Sequence, residues 1–287
     1  MQLKHFIVAL IGVLLFKTSI AQNDSVLYKI DQDTSSTWTL LKYDVNTTWH
    51  GVKNSFTKPL SWKEKDFLKF GGLVAGTAAL SFADRSVETF MGHQREGYPE
   101  LLRDIGWYFG SPQNYFMANA GLYGFGLFTK NAKVRRTSVL IITSSVTTGL
   151  IQTIAKNGFG RARPGTGLGP YFFKPFSKEA GHHSFPSGHT VLSITMAHAI
   201  AKQFKSPWTK AGIYSVGAIA PVSRLIDGAH WLTDIAFGAA ISIIVVDGVD
   251  KFLFKNEAHN ITKSLKPKTV SWNLSFGANK IGLVGVF

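Results

Sequence analysis

Three short runs in this 287-residue chain set basic, histidine and acidic side chains at spacings suited to work on an anion. The first is Lys156-Asn157-Gly158-Phe159-Gly160-Arg161-Ala162-Arg163-Pro164. Arg163 can fork onto two oxygens of a phosphate, and Lys156 supplies a point charge. Arg161 could add a further phosphate or headgroup contact. The second run, Phe185-Pro186-Ser187-Gly188-His189-Thr190, opens an apolar segment. Ser187 is a natural helix N-cap, Gly188 lets a ligand approach the backbone, and the helix start favours an oxyanion. His189 in that first turn could donate a proton to a leaving oxygen. The third run, Ser223-Arg224-Leu225-Ile226-Asp227-Gly228-Ala229-His230-Trp231-Leu232-Thr233-Asp234, pairs an imidazole with a carboxylate four residues on. That spacing is one helix face, so Asp234 is expected to hold His230 in one tautomer and leave its other nitrogen basic. Arg224 adds another phosphate-sized fork, and Asp227 is expected to cap or salt-bridge locally. Each run also has a bland reading: a solvated basic loop, a capping turn, and a buried His–Asp bond beside a structural arginine.

The elements that must position these residues are helical. Apolar periodicity runs through residues 67–83, 114–129, 137–155, 189–204, 211–226 and 231–246, each too long for an ordinary strand. Basic or Gly/Pro-rich linkers separate them. The expected fold is all-α, a bundle of about six core helices occupying residues 66–255. A polar N-terminal arm, residues 22–65, precedes it and is expected to lie on it. In the tail, residues 256–287, Val270, Trp272, Leu274, Phe276 and Ala278 alternate with polar or small residues, which predicts a β-hairpin turning near Ala278–Lys280.

Composition narrows the partners. Hydrophobic residues make up 45% and charged residues 17%, so the chain is not disordered by composition. The absence of cysteine excludes disulfides, thiolate metal sites and cysteine nucleophiles. A net charge of +14, spread along the chain, favours anionic partners: phosphate esters, acidic lipid surfaces or nucleic acid. Residues 1–21 read as a signal peptide, with Lys4 before an apolar run and Ser19-Ile20-Ala21 at the cleavage site. An exported apolar helical chain is a poor nucleic-acid binder, whereas a membrane surface suits it. The expected location is the bacterial cell envelope, with the site facing the periplasm.

Taken together, Lys-x6-Arg-Pro, Pro-Ser-Gly-His and Ser-Arg-x5-His-x3-Asp occupy eleven specified positions between Lys156 and Asp234. In these residues the chain resembles the type 2 phosphatidic acid phosphatase and vanadium-dependent haloperoxidase superfamily. The resemblance implies that His230 attacks phosphorus to form a phosphohistidine, that Asp234 orients it, and that His189 protonates the leaving alkoxide. It further implies that Lys156, Arg163 and Arg224, with Ser187 and the Gly188 amide, hold the phosphoryl oxygens, with no metal or other cofactor. The leading expectation is therefore a metal-independent phosphatase acting on a phosphomonoester or diphosphate. A lipid is favoured: phosphatidic acid, phosphatidylglycerol phosphate, polyprenyl diphosphate or a lipid A phosphate. Three alternatives accompany it: a non-specific periplasmic acid phosphatase on soluble esters, a vanadate-dependent halide oxidase, and a non-catalytic anion- or lipid-binding envelope protein.

Overall fold

The computed structural model describes residues 36–255, 271–277 and 280–286. The expected signal peptide, the start of the arm and the link to the tail lie outside the described residues. Six helices correspond to the periodic segments. They are α2 (Glu64–Leu80), α5 (Pro112–Phe128), α6 (Ala132–Phe159), α7 (Gly188–Ala201), α8 (Pro207–Ile226) and α9 (Leu232–Asp250). Periodicity did not single out three others: α1 (Thr37–Thr57), α3 (Asp84–His93) and α4 (Glu100–Gly110). Strands β1 (Ser271–Gly277) and β2 (Lys280–Val286) pair antiparallel, with Ser271 opposite Val286 and Gly277 opposite Lys280.

The starts of these helices follow local chemistry. Asn131 Oδ1 accepts the Val134 amide at 3.1 Å to open α6, and Ser206 Oγ accepts the Thr209 amide at 3.3 Å to open α8. Pro112 and Pro207 occupy first-turn positions, where no amide hydrogen is needed. Helix α6 ends at Gly160, whose φ of +58° only glycine adopts without strain. A Cβ at that position would lie 1.8 Å from the Lys174 carbonyl oxygen.

At 28 residues and about 42 Å, α6 runs the length of the bundle and packs against α1, α5, α7 and α9. Its serines and threonines look out of place in a core. They return their hydroxyls to the helix itself: Ser145 to the Ile141 carbonyl at 2.7 Å, Thr147 to Thr143 at 2.9 Å and Thr148 to Ser144 at 2.8 Å. Around it the core gathers Tyr115, Val139, Leu140, Ile141, Leu192, Val245, Val246 and Val249.

The stretch expected to be a polar arm contains helix α1, which packs against α6. Its buried residues are few, Leu40, Asp44, Gly51 and Val52, which is why its composition reads as polar. The buried Asp44 carboxylate accepts the Tyr123 hydroxyl at 2.8 Å and faces Arg135 at 3.6 Å. Helices α6 and α9 are long and apolar enough to cross a membrane, by length and composition. Large apolar side chains stand exposed on α2 (Phe67, Leu68, Phe70, Val74) and on α5 (Phe116, Met117, Phe125, Phe128).

Candidate functional site

The bundle brings the three motif runs to one end. Lys156 sits in the last turn of α6 and Arg224 in the last turn of α8. Gly188 and His189 open α7, and Asp234 lies in the first turn of α9. Two helix N-termini therefore add their partial positive charge to that of the basic side chains. The loop from Gly160 to Ser187 carries Arg163 and ties the parts together. Lys156 Nζ donates to the His183 carbonyl at 2.5 Å, Arg163 Nη2 to the same oxygen at 3.4 Å, and the Ser187 amide to the Asp234 carbonyl at 3.1 Å.

His230 is not on a helix, which corrects the expectation of a shared helical face. Gly228, with φ of +61°, ends the turn after α8, and Trp231 is the extended N-cap of α9. The pair meets because the Asp234 carboxylate folds back to accept the Trp231 amide at 2.8 Å. Asp234 Oδ2 then lies 3.5 Å from His230 Nδ1 and accepts the Ser184 hydroxyl at 2.5 Å. At 3.5 Å the His–Asp contact is looser than a formed hydrogen bond, as catalytic contacts without substrate commonly are. Nδ1 faces the carboxylate, so Nε2 is the nitrogen left for chemistry. Trp231 is itself locked by donating its indole N–H to the Ala162 carbonyl at 2.7 Å.

Several motif atoms are buried and, among the described residues, have no hydrogen-bond partner: His189 Nε2, Ser187 Oγ and Arg163 Nε. Ser187 occupies the N-cap position by backbone geometry, but its hydroxyl does not cap the helix. Gly188 serves packing in a way the sequence did not show, since a Cβ there would lie 2.9 Å from Gln152 Nε2. Arg224 forms an ion pair with Asp227 at 2.7 Å and lies 5.0 Å from the Trp107 ring centroid. That pair, three residues apart, is the local salt bridge expected of Asp227, which also pairs with the distant Arg103 at 3.0 Å.

Sequence reasoning missed the far wall of the site. Helix α4 supplies Trp107, whose ring centroid is 5.3 Å from that of His189, and Gly110, which touches the His189 side chain. No motif marks either residue. Arg161 departs from the phosphate contact expected of it. It is 4% exposed, and all three of its nitrogens are engaged within the protein, with Asp84, Thr233, Asp234 and the Pro170 carbonyl.

Both imidazoles are held neutral. Burial, then Arg224, His230, Arg163 and Lys156, hold His189 down at about 4 against the ordinary 6.5. Burial pushes His230 down to about 4 as well, against the pull of Asp234. The unfolded chain therefore takes up protons between pH 6.5 and 4 that the folded chain does not. The associated stability is fully present above pH 6.5 and is lost as pH falls through about 4, by roughly 3 kcal/mol per imidazole. Denaturant unfolding followed from pH 7 to pH 4 is expected to show that loss, and His230→Asn to flatten its slope. An unchanged slope would contradict the neutral, buried state of this ring.

Residues 137–257 match the family model of the PAP2 superfamily. The chain is 28% identical over 132 residues to a lipid A 1-phosphatase of Porphyromonas gingivalis, covering 45% of this chain and 26% of that protein. A lipid A 1-phosphatase of Rhizobium etli is 32% identical over 102 residues, covering 35% of this chain and 43% of that protein. The chain thus matches less than half the length of either relative. Among solved structures, the first transmembrane PAP2 type phosphatidylglycerolphosphate phosphatase from Bacillus subtilis aligns at a TM-score of 0.46 and 20% identity, over 74% of this chain and 99% of that one. Residues 137–257, which carry all three motif runs, are thus the part of the chain that is similar to the PAP2 superfamily.

Proposed function

We propose that this chain is a phosphoric ester hydrolase that removes phosphate from a lipid phosphomonoester or diphosphate by way of a phosphohistidine. The observation that carries the reading is the buried His230–Asp234 pair set among Lys156, Arg163 and Arg224, with His189 Nε2 buried and unpartnered beside them. In the first step the His230 Nε2 lone pair bonds to phosphorus, the bond from phosphorus to the ester oxygen breaks, and His189 gives its Nε2 proton to the departing alkoxide. Asp234 stabilises the positive charge that develops on the His230 ring. In the second step His189, now neutral, accepts a proton from water as that water attacks phosphorus and frees His230 with inorganic phosphate. Lys156, Arg163 and Arg224, with the Ser187 hydroxyl and the Gly188 amide, hold the phosphoryl oxygens and offset their growing charge. In phosphoryl transfer that positioning supplies most of the catalysis. These cations do the work that a divalent ion does elsewhere.

A lipid substrate is supported by the exposed apolar faces of α2 and α5, by the two long apolar helices, and by relatives named as lipid A 1-phosphatases. On this reading the protein works at a membrane surface of the cell envelope, with the site on the periplasmic side. The test is phosphate release by the purified full-length protein in EDTA. The panel comprises lipid A, phosphatidic acid, phosphatidylglycerol phosphate and polyprenyl diphosphate in mixed micelles, with p-nitrophenyl phosphate as the soluble ester. Release from at least one lipid, with kcat/KM at least about tenfold above the soluble ester, is expected. Preference for the soluble ester would replace the lipid reading with a general acid phosphatase. No release from any substrate would leave a binding protein.

A further inference from the structure

Behind Asp234, on the side away from His230, lies an ion-pair network that no motif announces. Asp84, at the start of α3, is fully buried, and Arg161 is 4% exposed. Arg161 Nη2 donates to Asp84 Oδ2 at 2.6 Å, and Nη1 donates to Asp234 Oδ1 at 2.6 Å and to the Thr233 hydroxyl at 2.7 Å. Thr233 passes its own hydroxyl hydrogen to Asp84 Oδ2 at 2.7 Å, and its amide to Asp84 Oδ1 at 2.9 Å. The Phe173 and Trp231 ring centroids each lie 5.9 Å from the guanidinium carbon. Each nitrogen of Arg161 and each carboxylate oxygen of Asp84 has a partner.

We propose that Asp84 and Arg161 are positioning residues for the nucleophile, acting through Asp234. The inference rests on the phosphohistidine reading above. Its physical basis is the division of labour between the two carboxylate oxygens of Asp234. Arg161 takes Oδ1, which leaves Oδ2 to face His230, Ser184 and the Trp231 amide. A carboxylate held at one oxygen by a charged, planar donor cannot rotate about its own axis without breaking that bond. Arg161 in turn is oriented by Asp84, whose carboxylate also takes one of the free amides at the start of α9. Asp84 therefore fixes both the donor behind Asp234 and the helix turn that carries Asp234. Stability alone is a weak account of the arrangement, because taking three charges out of water costs about as much as their attraction returns.

The network predicts a particular kinetic split. Asp84→Asn keeps the shape of the side chain and removes its charge; Thr233→Val removes the hydroxyl that links Asp84 to Arg161. Neither touches Lys156, Arg163 or Arg224. On the full-length protein, each variant is expected to lower kcat by about 10- to 100-fold with KM within about threefold of wild type, the usual range for losing a residue that orients a working group. Thr233→Ser, which keeps both hydroxyl bonds, should restore most of the loss. Rates are to be expressed per folded molecule, with the folded fraction read from circular dichroism and thermal unfolding. A purely structural network would lower the folded fraction and leave kcat per folded molecule unchanged. That outcome, or a change confined to KM, overturns the inference while leaving the role of His230 intact. Should Asp84→Asn fail to fold, Thr233→Val alone decides. A wild-type protein that releases no phosphate overturns both.

Discussion

Replacing His230 by alanine is expected to lower phosphate release by at least about 10,000-fold, the scale on which removing a nucleophile acts when no neighbour can take its place. His189 is not such a neighbour, because its Nε2 is assigned to the leaving oxygen and its ring is packed beside Trp107. Binding should behave differently. The cationic set Lys156, Arg163 and Arg224 lies outside the substitution, so inorganic phosphate should bind the variant with an affinity close to wild type. Rapid alkaline quench of wild type with a labelled lipid phosphate should trap a protein-bound phosphate that alkali spares and later acid treatment releases, as a phosphoramidate does. The His230→Ala protein should trap none. Retained turnover would remove His230 from the mechanism, and a trapped phosphate in the variant would place the nucleophile elsewhere.

The second large effect is expected at a residue without functional groups. Gly110 closes α4 against the His189 side chain, and a Cβ built on it would sit 2.2 Å from His189 Cδ2 and 2.6 Å from His189 Cβ and Cγ. Turning the imidazole relieves the first of these contacts but not the second, because the His189 Cβ is fixed by α7. Gly110→Ala must therefore push α4 away from α7 or shift His189 by about 1 Å. Overpacking of this kind costs about 1–3 kcal/mol, and a misplacement of about 1 Å at a reacting group can cost about 100-fold in rate. The variant is expected to lose about 100-fold in kcat and to unfold some 3–10 °C lower than wild type. Gly212→Ala in α8 is the matching control, since nothing lies within 4 Å of its built Cβ. It should leave kcat unchanged and stabilise slightly, by about 0.5–1 kcal/mol. Equal behaviour of the two variants would mean that α4 does not hold His189.

Substrate should shift His189 and His230 in the same direction. Both rings are held at about 4, chiefly by burial and further by the surrounding cations. A bound phosphate brings negative charge to the same place and raises both values. This supports a proton on His189 in the complex, where a general acid needs it, at a pH above its value of about 4.

Much of the site was legible in the chain because it is written in local runs. Long apolar segments marked six helices, since a run of that length is too long for a strand and a helix buried on most sides is apolar nearly all round. The spacings within each motif set which side chains could share a turn. The same local logic failed where burial is sparse. Helix α1 anchors itself through Leu40, Asp44 and Val52 and reads as polar, and α3 and α4, at 10 and 11 residues, are shorter than the long apolar runs that marked the other helices. It also failed at Arg161, which by sequence is one more cation in a basic run. Its partner Asp84 lies 77 residues away, and no spacing rule connects them.

The chain by itself therefore determined that a cationic, histidine-bearing site would sit on an all-α body, because residue types and short spacings depend only on the order of the chain. Tertiary packing decided which cations face that site and which stand behind it. It also decided that His230 meets Asp234 through a turn rather than along a helix face, and that Trp107 and Gly110 wall His189. Those outcomes depend on which distant helices come together, and each buried charge takes the partner that packing brings within reach, because leaving it unpaired costs more than any local preference can offset.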